Sequence, residues 1–121
     1  MMNKAEFIEK IFKECQDEKD HAFSIVCCFN DRKDMKHCIQ AFLDKFIYIR
    51  KSEIHIDSIG DYFTTRHENI YIYFIYDGCK CLDGLNPSLL FIQEGCYSSN
   101  IADILQFKSK YVKNSQIYYF I

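Results

Sequence analysis

Ala22-Phe23-Ser24-Ile25-Val26-Cys27-Cys28-Phe29 is an apolar run of strand length, interrupted only by Ser24. A strand with one wet face alternates in polarity, whereas a strand covered on both faces does not. Continuous runs of this kind therefore suit parallel sheets with helices on either side. The flanking residues agree. Downstream, Asn30-Asp31 offers an N-cap, and Met35, Cys38, Ile39, Phe42, Leu43 and Phe46 recur at the three- and four-residue spacing of one helical face. Upstream, residues 3 to about 20 place Phe7, Ile8, Ile11, Phe12 and Cys15 on one face and fill the other with Lys and Glu, which predicts an amphipathic helix.

Further along, residues 53–57 alternate Ile54 and Ile56 with polar neighbours, the pattern of a half-exposed strand. Ser58-Ile59-Gly60-Asp61 reads as a turn, and residues 62–65 as the hairpin partner. Ile70-Tyr71-Ile72-Tyr73-Phe74-Ile75-Tyr76 is the strongest β signal in the chain and ends at Asp77-Gly78. Residues 79–88 form a loop with Gly84 and the only proline, Pro87; residues 89–92 are a short buried strand closing into Gln93-Glu94-Gly95. Ser98 or Ser99 caps a helix carrying Ile101, Ile104, Leu105 and Phe107, and residues 117–121 are a last strand. The predicted order is α-β-α-β-β-β-α-β. It describes a single α/β domain over residues 1–121, with a mainly parallel sheet of about five strands and amphipathic helices. The layers number three, or two in a thinner version, and the middle hairpin is the antiparallel exception.

Composition bounds the function. A chain of 121 residues with 49% hydrophobic and 17% aromatic content is globular rather than disordered. At that length one core is expected, burying roughly two-thirds of the unfolded surface. Fifteen Lys plus Arg against 17 Asp plus Glu leave a net charge of −2, which supplies no global pull toward nucleic acid or anionic lipid. No apolar run approaches a membrane span, and the N-terminus has the form of neither a signal nor a transit peptide. Seven cysteines, an odd number set mostly in apolar runs, read as reduced, buried thiols in a cytosolic or nuclear compartment. Neither Cys-x-x-Cys nor a His-x₃₋₅-His spacing occurs, so no metal is expected; Cys79-Lys80-Cys81 with Cys96 and His67 is the nearest approach to a ligand cluster.

The stretch with most chemical content is Leu82-Asp83-Gly84-Leu85-Asn86-Pro87-Ser88-Leu89-Leu90-Phe91-Ile92-Gln93-Glu94. Four apolar residues running into a carboxylate make a Walker B-like pattern, in which a buried strand holds an acid at the sheet edge where α/β ligands bind. In P-loop ATPases an Asp there holds Mg²⁺ and the next Glu polarises the attacking water. Residues 82–105 resemble the Walker B region of the large terminase subunits of herpesviruses and tailed phages. The match runs through Tyr73-Phe74-Ile75-Tyr76, Leu82-Asp83-Gly84, the strand ending Gln93-Glu94 and the helix of residues 100–107. Residues 117–121 stand where the family has the strand leading to its Ser/Thr coupling motif. Residues 23–46 are similar to the strand and helix after the family's Walker A helix.

The departures define what the resemblance implies. No Gly-x₄-Gly-Lys-Ser/Thr is present, and all four glycines lie between Gly60 and Gly95. The Walker B Asp position holds Gln93, the loop Arg position holds Asp83, and the chain stops before the coupling residue. The resemblance thus implies a truncated or degenerate ATPase core in a viral DNA-packaging context. Glu94 is the one candidate catalytic acid, and Gln93 with Glu94 is the candidate nucleotide site. ATP with magnesium is expected only where that site persists. The expected partner is a protein, or the remainder of a larger subunit; the Ile, Lys, Asn, Tyr and Phe-rich composition suits an AT-rich viral genome. The alternative is a small viral accessory protein that acts by protein–protein binding, for example as an inhibitor of a host factor. Lys108, Lys110, Tyr111 and Lys113 interleave charge with an aromatic, as contact surfaces and nucleic-acid surfaces do. His21, His37, His55 and His67 are scattered, Arg32, Lys33 and Lys36 with Arg50-Lys51 make a solvated basic face, and Tyr71 and Tyr73 share one side of their strand.

Overall fold

The computed structural model describes residues 1–17, 19–49, 55–59, 62–78, 84–96 and 99–121. Arg50-Lys51, Glu53-Ile54, Gly60-Asp61, Cys79-Lys80-Cys81, Leu82-Asp83 and Ser98, together with the side chains of His55 and His67, lie outside the described residues. The elements are α1 (Lys4–Gln16), β1 (Phe23–Phe29), α2 (Arg32–Ile49), β2 (His55–Ile59), β3 (Tyr62–His67), β4 (Ile70–Tyr76), β5 (Leu89–Gln93), α3 (Asn100–Ser109) and β6 (Gln116–Phe120). The six strands form one sheet in the order β2-β3-β4-β1-β5-β6; they are the six segments read as strands, which the predicted order and its five-strand sheet undercounted by one. β4, β1, β5 and β6 are mutually parallel, with Cys27 between Phe74 and Phe91, and Phe91 beside Tyr118. β3 runs antiparallel to both β2 and β4. The mainly parallel α/β architecture is therefore the one its apolar runs require.

The pleat divides the core in two. Ile25, Cys27 and Phe29 of β1 face α1 and α2, together with Phe74, Phe91 and Phe120. Val26 and Cys28 face the other way, with Leu90, Ile92 and the α3 residues Ile101, Ala102 and Leu105. Two helices on one face and one on the other make three layers. Phe7 anchors the thicker layer: it is fully buried, stacks on Phe120 at 4.2 Å and meets Phe91 edge-on at 5.0 Å. Burying a ring of that size contributes about 1.5–3 kcal/mol. Among the described residues no helix is long and apolar enough to cross a membrane.

Two helices depart from expectation. α1 ends at Gln16 rather than near residue 20, because Cys15 is the last apolar residue of its stripe and Asp17 turns to extended backbone. Beyond it, Asp17 and Asp20 bring negative charge to the negative end of the helix dipole. Lys19 pairs with Glu14 at 3.2 Å, and Asn69 donates to the Lys19 carbonyl, which steers the chain into β1. In α3, Ser99 is the cap, and the inward stripe is Ile101, Ala102, Leu105 and Ser109. Ile104 and Phe107, expected on the core face, are 44% and 58% exposed. A helix of 10 residues set over the β1–β5 part of the sheet buries the positions four apart, and Ile104 and Phe107 lie round the cylinder from them.

Candidate functional site

In an open α/β sheet the crevice forms outside the carboxyl ends of the strands, where successive connections leave in opposite directions. Here that switch point lies between β1 and β5. β1 leads to α2 on one face, and β5 leads to α3 on the other. Three helix N-termini converge on the same edge. α2 and α3 follow the ends of β1 and β5, and α1 starts beside β6, where Met2 forms a parallel bridge with Phe120.

Gln93 occupies the centre of the switch point. Its residue is 5% exposed, and both ends of its amide are engaged. Oε1 accepts the Asn30 backbone N–H at 2.8 Å, and Nε2 donates to Asp34 Oδ2 at 3.1 Å. Asn30 in turn donates its Nδ2 to the Glu94 carbonyl at 2.6 Å, and the Glu94 N–H donates to the Phe120 carbonyl at 2.6 Å. Lys4 Nζ stands 3.9 Å from Asp34 Oδ1. A buried amide is tolerated because its donor and acceptor are both satisfied. The network joins the end of β1, the first turn of α2, the end of β5 and β6.

Glu94 is placed differently from its neighbour. Its side chain is exposed, and its part in the network is made by its backbone alone. Gln93, Glu94, Gly95 and Cys96 form a tight turn closed by the Cys96 N–H donating to the Gln93 carbonyl at 3.0 Å. Gly95 takes φ +91° at the third position, as a type II turn requires, and its missing Cβ leaves room for Asn30, whose side chain would stand 3.3 Å away.

Each helix N-terminus at this edge already holds an acceptor of its own. Asn3 Oδ1 accepts from the Glu6 N–H in a capping box, Asp31 Oδ1 from the Asp34 N–H at 2.8 Å, and Ser99 Oγ from the Ala102 N–H at 3.2 Å. Glu6, Asp34 and Asp103 add carboxylates to the three first turns. Among the described residues no group of three or more His, Cys, Asp or Glu is placed to hold a metal ion.

The second candidate surface lies elsewhere. α3 runs from this edge to the opposite one, and Lys108, Lys110, Tyr111 and Lys113 stand at its far end, apart from Gln93 and Glu94. Tyr111 is 77% exposed and meets Phe107 edge-on at 5.4 Å. His21 and His37 are both exposed.

One feature beside the network escapes any sequence pattern. Cys28 of β1 and Cys96 of the turn bring their Sγ atoms to 3.1 Å, 68 residues apart in the chain. Cys96 also lies 3.6 Å from the Phe29 carbonyl and 3.5 Å from Ser99 Oγ. Hydrogen bonding from Cys28, with help from Ser99 and against the opposing effects of burial and Asp77, brings the Cys96 thiol down to about 7. On the other face, burial pushes Cys27 far up, and Cys38 up to about 12.

With this geometry in place, solved structures that resemble the chain include phage large terminases. The large terminase of bacteriophage HK97 superposes with a TM-score of 0.76 at 14% identity, covering 97% of this chain and 26% of that one. The large terminase of the thermophilic bacteriophage D6E matches in two crystal forms, with TM-scores of 0.58 and 0.52 at 9% identity over 93% of this chain. The chain spans 26 to 29% of the length of these terminases, and at such identities the likeness is one of fold. No protein-family model matches the sequence, and no curated protein matches it.

Proposed function

We propose that this chain is a non-catalytic domain built on a terminase-type ATPase core, and that it acts in viral DNA packaging without binding nucleotide itself. The observation that carries the reading is the Gln93 network. In the terminase resemblance Gln93 takes the place of the magnesium-binding Asp, and its amide is spent on Asn30 and Asp34. A neutral amide is a poor magnesium ligand, and withdrawing this one would leave the Asn30 N–H unpaired. Phosphate finds no better reception. Anions bind helix N-termini through free N–H groups, and here Asn3, Asp31 and Ser99 already cap the three helices, with carboxylates repelling further negative charge. Nor does the sequence contain the glycine-rich loop that would cradle phosphates. The residues present do not fit Mg-ATP.

Calorimetric titration of the folded chain with Mg-ATP, beside a Glu94→Ala variant, tests this. No heat of binding at millimolar nucleotide is the expected result. Micromolar binding that weakens in the variant would overturn it, because Glu94 would then be acting as an active-site acid.

A second reading, action through a protein contact, is favoured by the outer surface of α3. Ile104, Phe107 and Tyr111 are exposed there, and Lys110 and Lys113 stand exposed beside them. An apolar patch fringed by lysines fits a partner surface with an apolar centre and a carboxylate rim.

A further inference from the structure

We infer that Cys28 and Cys96 form a redox-active dithiol, which a peroxide converts to an intramolecular disulfide across the switch point. Their sulfurs are 3.1 Å apart, against the roughly 2.05 Å of a disulfide, so closure needs an approach of about 1 Å. The sheet selects the pair. Cys28 lies in register with Ile92 of β5, and the turn after β5 folds Cys96 back over it. Pleat parity sends the adjacent Cys27 to the opposite face, among the residues packed against α1 and α2 with Cys15 and Cys38. Those thiols have the sheet between them and Cys96.

The reactivity order follows from the surroundings. Cys96 has the only thiol among Cys27, Cys38 and Cys96 that is lowered rather than raised, and thiolate is the nucleophile. Cys96 itself is 1% exposed and directly follows exposed Glu94 and Gly95, so hydrogen peroxide has to enter past that turn. In the first step the Cys96 thiolate attacks a peroxide oxygen. The S–O bond forms, the O–O bond breaks, and hydroxide leaves to take up a proton as water, giving a sulfenic acid. In the second, the Cys28 sulfur attacks that sulfur. The S–S bond forms, the S–OH bond breaks, and the hydroxide leaves with the Cys28 proton as a second water. Two thiols and one peroxide become one disulfide and two waters. The bond would tie the end of β1 to the turn that carries Glu94 and to the cap of α3.

The test treats the reduced, native chain with equimolar hydrogen peroxide, then denatures it and alkylates the remaining thiols. Intact mass and peptide mapping read the outcome. The expected result is a linked Cys28–Cys96 peptide in the majority of chains, with the other five of the seven cysteines alkylated. In a Cys28→Ser variant the reaction should stop at the Cys96 sulfenic acid, which dimedone traps. Seven alkylated cysteines, a bond between any other pair, or Cys96 driven to sulfinic acid in the unsubstituted chain would each overturn the assignment. The unsubstituted chain decides the question even if the variant does not fold.

Discussion

Replacing Gln93 by leucine puts a branched apolar side chain, one carbon shorter in reach, in its place and deletes both hydrogen bonds at the switch point. The Asn30 N–H loses its acceptor at 2.8 Å in a partly buried position, a loss of about 1 kcal/mol. The bond to Asp34 is charge-assisted and would count for more in a dry site. Asp34 is 38% exposed and has Lys4 at 3.9 Å, so solvent and the lysine make good part of its loss, leaving about 1 kcal/mol here as well. The sum is about 2 kcal/mol. With an unfolding entropy of about 2.1 cal/mol/K per residue over the chain, the midpoint should fall by roughly 8 °C. Glu94→Ala is the internal control. Its side chain is exposed, and alanine keeps the N–H and carbonyl that join Phe120 and Asn30, so its stability should stay within about 0.5 kcal/mol. Urea and thermal unfolding followed by circular dichroism measure both. If Gln93→Leu costs no more than Glu94→Ala, the network does not hold the edge together, and the structural role assigned to Gln93 is wrong.

Two further outcomes follow from the same geometry. Burial raises Cys38 to about 12 and Cys27 well above its ordinary value of 9.0, so the folded chain keeps protons there that the unfolded chain releases. That stability is complete below pH 9 and is lost as the pH climbs toward 12, whereas the lowered Cys96 contributes above pH 9 and loses its contribution as the pH falls through 7. Urea titrations from pH 7 to 11 should therefore show the advantage of the unsubstituted chain over Cys38→Ala shrinking above pH 9, and its advantage over Cys96→Ser growing between pH 7 and 9; the opposite slopes would refute the assigned environments. Replacing Phe107 and Tyr111 together by serine should leave the unfolding free energy within about 0.5 kcal/mol, since both rings are exposed. A loss above about 1 kcal/mol would make the pair part of the fold rather than a free contact surface.

The local grammar of the chain determines its elements and their class. The stripe at Met35, Cys38, Ile39, Phe42 and Phe46 is buried as its spacing requires, and the unbroken run through Cys27 and Cys28 is a central strand of a parallel array. Such patterns work because a helix period or a pleat reports directly which faces must leave water. They also mark residues 89–94 as a strand ending in a polar pair at the sheet edge. What each polar or aromatic group meets there is another matter. Gln93 and Glu94 are adjacent and similar in sequence, yet one is buried and bonded on both ends while the other points to solvent. The difference comes from Asn30 and Asp34, some sixty residues away. Ile104 and Phe107 look inward by composition and stand outward, because a single short helix has more apolar positions than the sheet beneath it can cover. The Cys28–Cys96 contact spans 68 residues and exists only through the order β1-β5 and the turn at Gly95. Periodicity tells which side of an element is apolar; strand order and the turns decide what faces it, and at this sheet edge they bury and bond the amide of Gln93 while leaving the adjacent Glu94 in solvent.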